Sequence, residues 1–216
     1  MVLEIPPGSF AAFLFDCDGT LIDSMPLHFE AWNHGLREAG ASWSLSEEYF
    51  YGSAGKSLEQ VVAELNRRHG DSIDAARVGR SKERFFHERI GGLRAFPDVL
   101  GHLHAAHARG VPTAVVSGSA REAVERSLES TGVSRFVDTV VAAEDVDRGK
   151  PAPDGFLLAA ERLAVEPAKC LVFEDGRAGL KAAGICGMAT VAVDARRGIG
   201  RPAVQPNAPN CSFKTT

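Results

Sequence analysis

Two aspartates, Asp16 and Asp18, are the residues of this chain whose types and spacing most directly suggest chemistry. They follow the apolar run from Ala11 to Phe15, and Gly19 comes directly after them. An apolar run that ends in Asp and Gly predicts a buried strand that breaks into a loop at the carboxyl edge of a sheet. Open α/β folds bind their ligands at this edge. Two such acids can divide the work, because one can attack a phosphorus atom while the other transfers a proton and a divalent cation holds their charges together.

Composition and charge exclude several classes of function. The 216 residues carry a formal net charge of −4, with 44% hydrophobic and 24% charged residues. This charge provides no basic field for nucleic acid or for an anionic membrane surface, and no stretch is long enough for a transmembrane helix. The N-terminal residues lack the features of a signal peptide, and the four cysteines show no metal-binding or disulfide spacing. We therefore expect a reduced, cytoplasmic protein whose partner is neither nucleic acid nor a membrane, and nothing demands more than a monomer.

Five strand-like runs are separated by helical stretches along the chain. Apolar and β-branched runs of this length, joined by helices, predict a mostly parallel sheet that is covered on both faces. The predicted fold class is therefore α/β, with a Rossmann-like core. The runs are Ala11–Asp16, Thr113–Ser117, Thr139–Ala143, Cys170–Glu174 and Ala189–Asp194.

The region between the first and second runs contains no convincing strand. Amphipathic helices are predicted over His28–Ala39, Leu58–His69 and Ala75–Ile90, since apolar side chains recur there at helical spacing. An all-helical block at this position of the chain predicts an inserted cap domain.

The domain organisation follows from this insert. Residues 1–24 and 96–216 are predicted to form the core, and residues 25–95 the helical cap. The last segment, 196–216, is rich in Pro, Asn and Gly, and we expect it to run irregularly over the surface.

Local signals predict how two helices begin. Ser119 with Glu122 fits a capping box at the start of a helix after the second strand. The stretch Gly52–Ser57 resembles the end of a P-loop, but its spacing is wrong and no strand precedes it. We interpret it as a cap loop in which Ser57 and Gln60 cap the next helix.

Polar residues also follow the second, third and fourth runs. Ser117 and Gly118 precede a helix, where backbone N–H groups and a hydroxyl can hold phosphate oxygens. Lys150 is followed by a proline, which restricts the direction in which the lysine points. Glu174 and Asp175 are adjacent at a strand end, and burying both is costly without a counterion. A Mg²⁺ ion, which prefers oxygen ligands, would supply that compensation.

These clusters, taken in order, resemble the four motifs of the haloacid dehalogenase superfamily of phosphoryl-transfer enzymes. The resemblance spans Phe13 to Gly179. It implies that Asp16 is a nucleophile that becomes an aspartyl-phosphate, and that Asp18 is the general acid and base. True dehalogenases of the superfamily lack an acid at the second position, so Asp18 favours phosphate esters as substrates over carbon–halogen bonds.

The resemblance also implies two sets of ligands. Ser117, Gly118 and Lys150 would bind the transferring phosphoryl group. The implied cofactor is Mg²⁺, with the ligands Asp16, Asp18 through its carbonyl, Glu174 and Asp175.

The chain departs from the family pattern at Gly176, where many relatives carry Ser or Ala. We expect this glycine to loosen the loop that holds the metal.

The helical insert is similar to the caps of this superfamily, which close over the site, exclude water and select the substrate. Its stretch from Leu27 to Trp32 resembles the subgroup that contains β-phosphoglucomutase and small sugar phosphatases. This implies substrate contacts for His28, Trp32 and Lys82, with the lysine as the counterpart of one that pairs with the histidine in the mutase. Packing between the cap helix and the core is the alternative role for His28 and Trp32.

The cap loop distinguishes two activities. The mutase has an arginine there that grips the distal phosphate of its bisphosphate intermediate, whereas this chain offers Lys56, which lacks the bidentate fork. We therefore predict a Mg²⁺-dependent phosphatase of small phosphorylated sugars, with β-phosphoglucomutase as the alternative. A phospho-acceptor receiver module of signalling pathways is a remote third possibility, because receivers have neither the helical insert nor D-G-T after their acceptor.

Overall fold

A five-stranded parallel sheet forms the centre of the computed structural model, which describes residues 3–53 and 56–194. The spatial order of the strands is β3-β2-β1-β4-β5, so β1 is central and is flanked by β2 and β4. The chain order reverses direction at β1, and the carboxyl end of that strand is therefore a topological switch point. The strands are β1 (Ala12–Phe15), β2 (Thr113–Val116), β3 (Thr139–Val141), β4 (Cys170–Glu174) and β5 (Ala189–Ala192).

Helices cover both faces of the sheet because its central strands are apolar on both sides. Phe13 and Phe15 point to one face, where they pack against the first pair of core helices, while Ala12 and Leu14 point to the other face and pack against the second pair. The first pair is α5 (Pro97–Ala108) and α6 (Arg121–Ser130), and the second is α7 (Asp154–Arg162) and α8 (Arg177–Ile185). This confirms the predicted α/β class with a Rossmann-like core.

Four helices between β1 and α5 form a separate layer with a hydrophobic core of its own. Leu36, Phe50, Val62, Leu65 and Val78 are buried in that core. This is the all-helical block that the sequence predicts between the first two strands. Its helices are α1 (Met25–Glu38), α2 (Glu47–Gly52), α3 (Leu58–His69) and α4 (Ala75–Arg89).

The two chain segments that connect this block to the sheet lie side by side. The Asp23 N–H donates to the Arg94 carbonyl over 2.9 Å, and the Phe96 N–H donates to the Leu21 carbonyl over 2.9 Å. Ile22 also forms an antiparallel bridge with the second segment. The block therefore enters and leaves the core at one place, while the domain limits at residues 24 and 96 stay a prediction.

The structure confirms most predicted elements and corrects some of their ends. Helix α3 coincides with the predicted Leu58–His69, and Ser57 and Gln60 form its capping box. The capping box predicted at Ser119 is wrong, because Ala120 is the N-cap of α6 and the Arg121 N–H donates to the Glu144 carboxylate instead. Helix α2 was not predicted, since six residues are too few for a clear periodic pattern.

Two further expectations from the sequence concern the C-terminal segment and membrane-spanning helices. The C-terminal segment 196–216, predicted to be irregular, lies outside the described residues. Within the described ranges, every helix is too short or too polar to cross a membrane.

The stack of Phe15 on Phe173 makes the centre of the sheet sensitive to loss of either ring. The ring centroids are 4.8 Å apart, and both side chains are fully buried. We expect Phe173→Ala to lower the free energy of unfolding by about 3–5 kcal/mol, because a buried aromatic leaves a cavity that the sheet fills only partly. Urea denaturation measures this loss. Leu157→Ala is the control, since Leu157 is 41% exposed, and equal losses in the two variants would contradict the prediction.

Candidate active site

Polar side chains from separate parts of the chain meet beyond the carboxyl end of β1. Asp16 and Asp18 follow β1, and Ser117 follows β2. Glu174 ends β4, and Lys150 reaches the same place from the loop between β3 and α7. Parallel strands bring these residues together because their carboxyl ends share one edge of the sheet.

Lys150 lies between two buried carboxylates. Its Nζ donates to Asp16 Oδ1 over 2.6 Å, to Glu174 Oε2 over 2.7 Å and to the Val116 carbonyl over 3.0 Å. Burial acts to lower the pKa of the lysine, but the charges of Asp16 and Glu174 outweigh burial and raise it, so the ammonium form is retained. The lysine thus compensates two acids that would otherwise be buried without a counterion.

A single lysine does not neutralise the whole cluster. Burial and then the charge of Glu174 raise the pKa of Asp16 to about 7, although Lys150 opposes them. Burial and then the charge of Asp16 raise the pKa of Asp175 to about 6. The site therefore holds more negative charge than its own cation balances.

This surplus and the arrangement of the acids suit a divalent cation. Asp16, Glu174 and Asp175 each offer a carboxylate oxygen, and the three oxygens lie within 4.8 Å of one another. Thr20 fixes Asp175, since its Oγ1 donates to Asp175 Oδ1 over 3.1 Å and accepts from the Asp175 N–H over 3.1 Å. Hard divalent cations prefer a set of oxygen donors of this kind, so the residues present fit a metal ion.

Two glycines leave the room that the carboxylates occupy. A Cβ atom at Gly179 would lie 2.0 Å from Glu174 Oε2, and one at Gly19 would lie 2.5 Å from Asp175 Oδ2. Gly19 also has a φ of +88°, which favours glycine. Gly176, where a looser loop was expected, has an N–H that donates to Glu174 Oε1 over 2.9 Å and so helps to orient that carboxylate.

The Asp18 side chain turns away from the other acids and toward a ring of donors. Oδ1 accepts from Ser24 Oγ over 2.6 Å and lies 3.0 Å from His28 Nε2. Oδ2 accepts from Ser117 Oγ over 3.2 Å and from Ser119 Oγ over 2.7 Å. Burial acts to raise the pKa of Asp18, but His28 and the two serines Ser24 and Ser119 outweigh burial and lower it below its usual range. Asp18 is therefore ionised and links the sheet to the first helix of the insert.

The insert contributes an aromatic and cationic wall above Asp18. The His28 ring stacks on Phe86 with centroids 4.2 Å apart, so helices α1 and α4 are joined directly over the acid. Lys82 Nζ lies 5.8 Å from the centroid of the Trp32 ring. Burial lowers the pKa of Lys82, and the charges of Asp18 and Glu83 oppose that effect.

A cavity of about 460 Å³ lies between this wall and the core, which is the size of sites that bind small molecules. The insert contributes His28, Trp32, Lys56 and Lys82 to its lining, and the core contributes Asp18 and Gly118 among others. All four insert residues predicted to contact a substrate thus line one cavity.

Although the Lys56 side chain lines the cavity, its ammonium group pairs with another residue of the insert. Lys56 Nζ donates to Glu64 Oε2 over 2.5 Å and lies 5.8 Å from the Tyr49 ring centroid. The structure therefore brings Lys56 to the cavity lining but pairs its charge with Glu64.

Several residues around Asp18 were not predicted from the sequence. Ser24 stands four residues before His28, and this spacing was the available signal. Ser119 was assigned to helix capping, because a serine before a helix fits either role until the acid that it meets is known. Phe86 and Glu83 lie on α4, and the periodicity of the sequence alone does not determine how that helix is oriented toward the core.

Family comparison identifies the kind of protein that carries this arrangement. The model of the haloacid dehalogenase-like hydrolase family matches residues 10–187. That range includes both acids after β1, the lysine loop, the acids after β4 and the whole helical insert.

Individual relatives resemble most of the chain. The fructose-1-phosphate phosphatase YqaB of Escherichia coli is 34% identical over 85% of this chain and 96% of its own length. The hexitol phosphatase A of the same organism is 31% identical over 85% of this chain and 82% of its own length. The crystal structure of CbbY from Rhodobacter sphaeroides in complex with phosphate has a TM-score of 0.74 and 26% identity, and the match covers 84% of each chain.

The contact between Gly179 and Glu174 allows the cation site to be tested apart from catalysis. We expect Mg²⁺ to raise the melting temperature of the wild-type protein, since a ligand that binds only the folded state stabilises it, by about 2.7 kcal/mol at a hundred times its dissociation constant. Gly179→Ala should remove most of this increase because the new Cβ displaces the Glu174 carboxylate.

Differential scanning fluorimetry with Mg²⁺ and with EDTA measures the increase for each variant. Gly184→Ala, on the same helix with open space around the added Cβ, is the matched control and should keep it. A wild-type protein that shows no increase would contradict the cation site.

Proposed function

The chain belongs to the haloacid dehalogenase-like hydrolases, and from that premise we propose that it is a Mg²⁺-dependent phosphatase of small phosphorylated sugars. The observation that carries the proposal is the division of the two aspartates. Asp16 lies in the carboxylate cluster beside Lys150, and Asp18 faces the cavity under the insert. This division supports Asp16 as the nucleophile and Asp18 as the proton-transfer group.

In the first step, a carboxylate oxygen of Asp16 attacks the phosphorus of the bound ester. A bond forms between this oxygen and phosphorus while the bond from phosphorus to the sugar oxygen breaks, which leaves an aspartyl-phosphate and a sugar alcohol. Asp18 takes up a proton from solvent when the anionic ester binds beside it, and it donates this proton to the departing oxygen. Lys150 and Ser117, together with the backbone at Gly118, hold the phosphoryl oxygens.

In the second step, water attacks the aspartyl-phosphate from the side that the sugar has left. Asp18, now a carboxylate, accepts a proton from this water, and the bond between phosphorus and Asp16 breaks to release inorganic phosphate. The serines and His28 that contact Asp18 fix the orientation of its carboxylate for this proton transfer. Both steps use the same two acids in reversed roles.

We propose Mg²⁺ as the cation. When bound, it would neutralise the charge that develops on the phosphoryl oxygens. Carboxylates of high pKa give up their protons on binding it. Its ligands would be Asp16, Asp18 through its carbonyl, Glu174 and Asp175.

The cavity supports a sugar as the leaving group. Trp32 and Phe86 offer apolar surface, while His28 and Lys82 offer polar groups, and carbohydrate surfaces combine the same two characters. The relatives named as fructose-1-phosphate phosphatase and hexitol phosphatase support this class of substrate. We further propose that the protein acts as a cytoplasmic monomer.

The alternative activity is that of a β-phosphoglucomutase. It would use the same first step but return the phosphoryl group to a sugar hydroxyl, which requires a firm grip on a second phosphate. Lys56 is the residue expected to provide that grip, and its ammonium is paired with Glu64 instead. This pairing favours the phosphatase. The family match and the four-helix insert favour an enzyme over a receiver module.

Phosphorus NMR tests the proposed function. Purified protein with Mg²⁺ is incubated in parallel with fructose 1-phosphate, and with β-glucose 1-phosphate plus a trace of glucose 1,6-bisphosphate. Release of inorganic phosphate supports the phosphatase. Conversion of β-glucose 1-phosphate to glucose 6-phosphate without phosphate release would replace it with the mutase.

Substitution of the two aspartates tests their division of labour. Asp16→Asn should abolish turnover, because an amide oxygen is too poor a nucleophile to form the acyl-phosphate. Asp18→Ala should slow turnover by roughly 10²–10⁴-fold, the contribution of a positioned acid or base. Initial rates of phosphate release measure both, with circular dichroism to show that each variant is folded. Glu161→Gln, an exposed change on α7, is the control, and residual activity of Asp16→Asn above background would disprove its role as nucleophile.

A further inference from the structure

The cavity between insert and core has a carboxylate on its wall that the proposed chemistry does not use. Building on the proposed function, we propose that this residue, Glu83, determines specificity: it admits monophosphates whose far end carries uncharged hydroxyl groups and rejects substrates with a second anionic group there. The substrate class is thereby narrowed to sugar or polyol monophosphates.

Helix α4 presents Glu83 to the cavity. Gly79, Lys82, Glu83, Phe86 and His87 all line it. Their spacing of three and four residues places them on one face of the helix. Glu83 therefore shares its helix face with the lysine and the phenylalanine that lie over Asp18, so a ligand that reaches those residues also meets its carboxylate.

The neighbours of Glu83 on that face are already engaged. Phe86 stacks on His28, and His87 lies 2.6 Å from the guanidinium of Arg126 on the core helix α6. Within the described part of the chain, the Glu83 carboxylate accepts no hydrogen bond and forms no ion pair closer than 4.0 Å, and its side chain is exposed. An ionised carboxylate only accepts hydrogen bonds, so its natural partners are the hydroxyl groups of a ligand.

Both lysines that line the cavity also have negative charges near them. Lys82 interacts electrostatically with both Asp18 and Glu83, and Lys56 is paired with Glu64 over 2.5 Å. A second phosphate in the cavity would thus meet the charge of Glu83, and the ammonium beside it, that of Lys82, already faces the negative charges of Asp18 and Glu83. A negative charge in a binding site weakens the binding of a ligand that is anionic at that position more than it weakens the binding of a ligand that is uncharged there.

The test compares kcat/KM for fructose 1-phosphate with kcat/KM for fructose 1,6-bisphosphate. Glu83→Gln keeps the shape and a carbonyl acceptor but removes the negative charge. We expect it to raise the ratio of bisphosphate to monophosphate turnover by about tenfold, the effect of one partly screened charge. Glu88→Gln is the matched control, because Glu88 lies on the same helix, is exposed, pairs with Arg89 and does not line the cavity.

The outcomes separate the two proposals. A wild-type protein that hydrolyses both esters equally well, or a ratio that Glu83→Gln leaves unchanged, overturns the role of Glu83 and leaves the phosphatase intact. Absence of Mg²⁺-dependent turnover of both esters and of p-nitrophenyl phosphate overturns the phosphatase and the role of Glu83 together. A ratio raised in Glu83→Gln but not in Glu88→Gln supports it.

Discussion

The burial of one lysine among several carboxylates is the constraint on which the rest of this structure depends. Asp16 and Glu174 are 7% and 3% exposed, and isolated carboxylates at such positions are costly. Lys150 makes their burial tolerable by donating to both. It reaches them only because the loop after β3 ends beside the carboxyl ends of β1 and β4, so the strand order and the charge arrangement require each other.

Lys150 compensates only part of the negative charge of the carboxylate cluster. Two acids of the cluster keep pKa values near neutrality, about 7 for Asp16 and about 6 for Asp175. A fully neutralised cluster would have no further attraction for a cation, and a cluster without the lysine would be too strongly charged to bury. The observed balance leaves a cluster that the fold compensates in part and that still suits a divalent cation.

The sheet and the acids at its edge could be predicted from the sequence because each strand is a short apolar run that ends in polar residues. Cys170–Glu174 has the same limits in the sequence prediction and in the structure. The environment of Asp18 could not be predicted in the same way. Ser24 and Ser119 reach it from segments 95 residues apart, and a serine before a helix has several possible partners. Lys56 shows the converse, since it was predicted to face the substrate and lines the cavity, but its pairing with Glu64 depends on how α3 packs.

The pairing of the two connecting segments has a consequence for how such a protein diversifies. Because the Asp23 N–H bonds the Arg94 carbonyl and the Phe96 N–H bonds the Leu21 carbonyl, the two ends of the helical block are adjacent in space. The entropy of closing a chain between adjacent ends changes only slowly with its length. Evolution can therefore exchange, lengthen or reshape the block between these two crossings while the sheet and its charge balance stay as they are. New substrate specificities would arise by changes between these two connecting segments, while the residues that carry out phosphoryl transfer stay the same.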